Sequence, residues 1–130
     1  MSENIVNQWL SSYAASAVDG ELENHMSHIS KEVQVYGVPG FDVVSYDDWR
    51  NQCAQEFPQK LIRSLDYDDI RIRPIDDQNI AFLTQEKIVT SEGKEIRQAV
   101  EMVLVLNEEE IWLLKQLRIL NDEEKAQAGV

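Results

Sequence analysis

Two histidines, one cysteine and a scatter of carboxylates are the side chains of this sequence best equipped for chemistry. His25 and His28 stand three apart, so a helix through them presents both on one face. Histidine titrates near neutrality, and His28 set against a sheet carboxylate such as Glu101 would make an acid–base pair. The other reading of both is as surface histidines. Two imidazoles do not complete a metal site, and no HExxH or CxxC pattern supplies the missing ligands, so neither a metal nor another cofactor is implied. Cys53 shares an i, i+4, i+8 stripe with Trp49 and Phe57, with no base beside it in sequence to generate a thiolate. That placement suits a buried, inert thiol. The stretch Gly37-Val38-Pro39-Gly40 lacks the lysine and glycine spacing of a phosphate loop and reads as a turn.

These groups need elements to position them. From Glu3 to Ala17 the apolar residues Ile5, Val6, Trp9, Leu10, Tyr13, Ala14 and Ala17 recur every three or four positions, which predicts an amphipathic helix ending at Asp19-Gly20. A short helix follows over 22–29, then a short strand at Val33–Tyr36. Ser45 is placed to cap a third helix carrying Trp49, Cys53 and Phe57, with Asp47 and Asp48 in its first turn and Pro58 at its end. Strands are expected around 67–73, 80–89, 95–106 and 111–120, the last three joined by polar turns as an antiparallel meander. The polar segment after residue 121 is expected to fray, giving one domain over 1–121 and a tail over 122–130.

Taking Glu92-Gly93 and Glu108-Glu109 as two-residue turns fixes a register, and side chains alternate across it. One face then collects Phe82, Val103 and Leu114 in one row, Thr84, Glu101 and Gln116 in the next, and Glu86, Ala99 and Arg118 in the third. Such polar groups inside an apolar concavity suit a ligand pocket. Alternatively, Glu86–Arg118 and Glu101–Gln116 are pairs near strand ends that satisfy each other. Trp9, Tyr13, Tyr36, Trp49, Phe57 and Phe82 would line that pocket or simply form the core, and only a cavity distinguishes the two. Both sheet faces are apolar at their centre, so helices should cover one and a second copy of the chain the other. The facing of Arg71 and Arg73 depends on the turn near Asp76-Asp77.

The whole chain sets bounds. Its 130 residues suit one domain, and 43% hydrophobic residues suit a folded one. A formal charge of −12, with no run of basic residues, disfavours nucleic-acid and anionic-membrane partners. The polar start, the lack of an apolar run and the single cysteine point to a cytoplasmic protein.

Helices first, a short strand, a third helix and a closing meander resemble the nuclear transport factor 2-like superfamily, with its ketosteroid isomerases and SnoaL-like cyclases. The similarity lies in Trp9-Leu10-Ser11-Ser12-Tyr13-Ala14-Ala15, Asp19-Gly20-Glu21-Leu22, Val33-Gln34-Val35-Tyr36-Gly37, Glu92-Gly93-Lys94 and the strand opened by Trp112. It implies an α+β fold, a cone-shaped curved antiparallel sheet wrapped around N-terminal helices, often as a homodimer with a pocket inside. Tyr13 matches the helix-one tyrosine that polarises a substrate carbonyl. Gly37 stands where the isomerases have their catalytic aspartate, so that reaction lacks its base here. Related dehydratases and cyclases pair an acid with a histidine, for which His25 or His28 with Glu101 are the counterparts. The resemblance leaves three functions open: a binder of a small, largely apolar organic ligand held by Tyr13, Tyr36, Glu101, Gln116 and Arg118, a cofactor-free lyase, isomerase or cyclase, and a non-catalytic dimerisation or protein-interaction module.

Overall fold

The apolar stripe of the first segment becomes a long helix, α1 (Ser2–Asp19), which buries Val6, Trp9, Leu10 and Tyr13 and ends at Gly20 with φ +70. The computed structural model describes residues 2–129. A single turn, α2 (Leu22–Met26), leads into β1 (Ile29–Tyr36), which starts earlier than its apolar core predicts. Helix α3 (Tyr46–Glu56) is followed by a 3-10 turn over Phe57–Gln59, and then come β2 (Ile62–Asp76), β3 (Asn79–Thr90), β4 (Glu95–Leu106) and β5 (Trp112–Ile119). The sheet order is β1-β5-β4-β3-β2, with β1 parallel to β5 and all other pairs antiparallel. The sheet is curved and unclosed.

Both meander turns are one residue longer than expected. Val89 faces Glu95 and Thr90 N–H bonds the Lys94 carbonyl, so Ser91-Glu92-Gly93 is a three-residue loop with Gly93 at φ +87. Leu106 faces Trp112, and Glu108-Glu109-Glu110 repeats the device with Glu110 at φ +63. A one-residue slip turns every side chain of a strand over. Phe82 therefore faces Met102 rather than Val103, and Val100, Met102 and Leu104 take the helix-facing side. On β5 the two slips cancel as far as Leu114. A bulge opposite Val103/Leu104 then sends Leu117 and Ile119 inward and Gln116 and Arg118 outward.

The core lies between α1 and the helix-facing side, where Phe82, Met102, Leu104, Leu114 and Val100 are essentially sealed from solvent. The outer side is not bare. Asn121 caps a fourth helix, α4 (Asp122–Ala128), through a capping box with Glu124, where the sequence suggested fraying. Ala128 packs on Leu83, Ala99 and Leu120, and Arg71 donates to the Gly129 carbonyl at 3.1 Å. Among the described residues no helix is long and apolar enough to cross a membrane.

Candidate functional site

The structure separates the residues singled out by sequence. Trp9, Tyr13 and Phe82 are core: Tyr13 stacks on Trp9 with ring centroids 4.6 Å apart, and its ring lies 4.8 Å from that of His25. Burial, then the nearby Glu86 and Cys53, hold the Tyr13 hydroxyl well above its ordinary pKa, so it keeps its proton. Tyr36, Glu101, Gln116 and Arg118 do come together, but on the outer side. Glu101 faces Arg118, Val103 faces Gln116, and Tyr36 pairs with Arg118 across β1 and β5. The expected Glu86–Arg118 pair is thereby split between two faces. Arg118 instead reaches Glu124 of α4 at 3.5 Å. Arg71 and Arg73 face Leu83 and Ala81 on the same outer side.

Glu86 stays on the helix-facing side, only 7% exposed. Its carboxylate accepts from the Tyr67 hydroxyl and from Gln98 Nε2, each at 2.6 Å. These short, charge-assisted bonds satisfy a buried acid that has no basic residue beside it in the register. Burial and Glu86 together push the Tyr67 hydroxyl well up, so Tyr67 remains a donor. Neither Tyr67 nor Gln98 stood out in sequence, because the strand register alone brings them to Glu86.

The two histidines part company. His25 is buried, with Nδ1 3.1 Å from Ser16 Oγ and Nε2 accepting from Trp49 Nε1 at 3.2 Å. Ser16 Oγ gives its own proton to the Tyr13 carbonyl at 2.7 Å, so Nδ1 must carry the hydrogen of the neutral ring. Burial first, and His28 second, lower its pKa to about 4. With both nitrogens engaged, His25 braces α1 against α3. His28 is half-buried in the turn between α2 and β1, its Nδ1 2.8 Å from the Asn24 carbonyl and its ring edge-on to Trp9 and Tyr13, whereas Glu101 lies on the outer face of the sheet.

A cleft of about 360 Å³ opens between α3 and the inner side of β1 and β5. Its walls are Val35, Val38, Val44, Trp49, Cys53, Leu117 and Ile119, with Phe41 at the rim and Asp48, Gln52 and Glu56 along α3. The loop that shapes it is built by two glycines. Gly37 has φ +89, and a Cβ there would lie 2.3 Å from the Ile119 carbonyl oxygen, so only glycine lets the chain cross the end of β5 so closely. Pro39-Gly40, with Gly40 at φ +88 and Phe41 N–H bonding the Val38 carbonyl at 3.1 Å, has the pattern of a type II turn. Paired backbone bonds between Val35 and Val44 close the loop, and Ser45 and Asp48 form the capping box that starts α3. Phe41 is left 56% exposed. Burial, and to a lesser degree Glu56, push the Cys53 thiol up to about 12, which makes it an apolar wall and not a nucleophile.

Trp49 is the one member of the expected pocket set that lines this cleft. Phe57 lines a smaller hollow of about 260 Å³ on the other side of the 3-10 turn, with Leu61, Ile88 and Ile96. A larger groove, about 450 Å³, lies between α1 and β2, lined by Leu10, Ala14, Leu65, Tyr67 and Ile70 together with Asn7, Ser11 and Asp66. It is an open seam with these polar groups among its lining residues, and the α3 cleft is the more apolar-walled recess. The sequence signal for the cleft was the string of apolar residues Val38, Phe41, Val43 and Val44 in a turn-rich loop, where nothing in the local chain requires them. Among the described residues no group of three or more His, Cys, Asp or Glu is placed to hold a metal ion.

The element order and the curved, unclosed sheet around α1 define the nuclear transport factor 2-like, or cystatin-like, α+β fold. A nuclear transport factor 2-like protein of unknown function from Shewanella oneidensis superposes with a TM-score of 0.78 at 11% identity, over 93% of this chain and 100% of its own. ActVI-ORFA from Streptomyces coelicolor gives 0.75 at 12% identity over 93% and 97%. A candidate scytalone dehydratase from Novosphingobium aromaticivorans gives 0.74 at 10% identity over 91% and 82%. No family model matches the sequence, and no curated protein matches it. At these identities the likeness is one of fold.

Proposed function

We propose that this chain binds a small, largely apolar organic molecule in the cleft between α3 and the inner side of β1 and β5. The observation that carries this reading is the cleft itself, about 360 Å³ and apolar-walled, with the exposed ring of Phe41 at its rim. Ligand sites begin at ~300 Å³ and combine such walls with a few polar groups, here Gln52, Asp48 and Glu56. An aromatic ring kept half in water at the edge of an apolar recess gains by covering a ligand, at roughly 25 cal/mol for each Å² removed from water. Calorimetric titration of a neutral probe, naphthylmethanol, into the wild type and into Val44→Trp tests the reading. Saturable binding lost when the tryptophan fills the cleft supports it. Equal binding to both proteins, or none to either, contradicts it.

A cofactor-free acid–base reaction is the second reading, favoured by a specific arrangement. The buried Glu86 carboxylate sits with Tyr67 and close enough to Tyr13 to perturb it, and both tyrosines keep their protons. That is a base beside two hydrogen-bond donors. The dehydratase-like neighbour is in keeping with such chemistry. Once a turnover assay exists, Glu86→Gln should lower kcat by about 10²–10⁴-fold if Glu86 is the base. A pure binder would show no turnover to lose.

A further inference from the structure

We propose that the α3 cleft selects hydrophobic amines over acids of the same shape, a step that rests on the ligand-binding reading above. Every charged side chain lining the cleft is acidic: Asp48 and Glu56, one at each end of the α3 wall. The basic side chains nearest in sequence are engaged elsewhere. Arg50 bonds Glu23 at 3.0 Å, Lys60 Nζ donates to the Asp19 carbonyl at 2.6 Å, and Arg118 is on the outer face with Glu124. Both rim carboxylates are held through a single oxygen. Asp48 Oδ2 takes the Ser45 N–H and hydroxyl, and Glu56 Oε2 takes Gln52 Nε2, leaving the second oxygen of each for water or a ligand's donor. Glu56 also sits at the C-terminal end of α3, where the helix dipole is negative and the last turn holds no basic residue. The chain's formal charge of −12 adds a long-range field of the same sign. An ammonium head thus meets attraction at the α3 rim while its apolar body lies against Val35, Val44, Trp49, Leu117 and Ile119. A carboxylate or phosphate head meets repulsion, with no cation among the described residues of the wall to receive it.

The size of the effect follows from Coulomb's law. One carboxylate ~6 Å from a charged head changes affinity about threefold in a water-like dielectric. Two carboxylates acting with opposite sign on an amine and an acid separate them by up to ~100-fold, and screening brings this to about tenfold. Titrating naphthylmethylamine, naphthylmethanol and naphthoic acid by calorimetry at low ionic strength measures it. The amine should bind about tenfold more tightly than the acid, with the alcohol between. That ratio should shrink toward one as the Debye length falls from ~30 Å at 0.01 M salt to ~3 Å at 1 M. Glu56→Gln should cut it about threefold or more. A tie between amine and acid while the alcohol binds overturns the selectivity and leaves the cleft standing. A ratio that neither salt nor Glu56→Gln moves also overturns it. If none of the three binds, the cleft reading falls and takes this inference with it.

Discussion

Replacing His25 with phenylalanine should remove a block of acid sensitivity from the stability of this protein. The native ring is neutral, with its Nδ1 hydrogen on Ser16 Oγ and its Nε2 lone pair on Trp49 Nε1–H. A second proton would have to displace the Trp49 bond and charge a site that is 3% exposed. The folded pKa of about 4 lies below the ordinary 6.5. An unfolded chain therefore takes up the proton as the pH drops below about 6.5, while the native state resists until about 4. The stability His25 contributes is complete above the unfolded pKa and is lost across that window. The gap corresponds to roughly 3 kcal/mol at most, of which about 2 is gone by a pH of about 5. Urea unfolding at a pH of about 7.5 and about 5 measures the change in the wild type and in His25→Phe. The other titratable groups are common to both proteins, so the difference between the two profiles isolates His25. The variant should start lower, by ~1–3 kcal/mol, because Ser16 and Trp49 lose a partner. Its further loss on acidification should be smaller than the wild type's by about 2 kcal/mol. Parallel profiles would rule out this role for His25, as would an imidazole of His25 that titrates in the native state near neutrality.

Other outcomes follow from the same structure. Gly37→Ala should destabilise the fold by more than the ~1–2 kcal/mol that a left-handed φ costs alone, because its Cβ would meet the Ile119 carbonyl. Gly40→Ala, at a similar φ but with nothing within 4 Å, should cost no more than that base amount, and thermal melts of the two compare them directly. Tyr67→Phe should cost ~1–3 kcal/mol by leaving buried Glu86 with Gln98 as its remaining donor, read from urea midpoints. On the outer sheet, half-exposed Val103, Val105 and Leu113 form the strip we propose for a second copy of the chain. Sedimentation equilibrium should show a dimer that Val103→Lys dissociates, and a monomeric wild type would end that proposal.

The helices and the meander were legible because their periods are long and their punctuation is strong. Gly20, Ser45 and Pro58 bound α1 and α3 in the sequence as they do in the fold. The site was harder to read, for a reason that is local and physical. A three-residue hairpin loop and a two-residue one look alike in Ser91-Glu92-Gly93-Lys94, yet they place Glu101 on opposite faces of the sheet. The bulge at Lys115 has no signature in composition, and it alone decides that Leu117 and Ile119 wall the cleft while Gln116 and Arg118 meet solvent and α4. Tyr13 on α1 and Trp49 on α3 lie on the apolar stripes that the helical period predicts, because helix faces do not depend on pairing register.

Entry of a small apolar molecule into the cleft beneath Phe41 can be seen by methyl-resolved nuclear magnetic resonance with naphthylmethanol. Saturable shifts and ligand contacts are expected at the methyls of Val35, Val38, Val44, Leu117 and Ile119, with those of Val103 and Leu113 on the outer face unmoved. Shifts confined to the outer face, or to the seam of Leu10, Leu65 and Ile70, would contradict it.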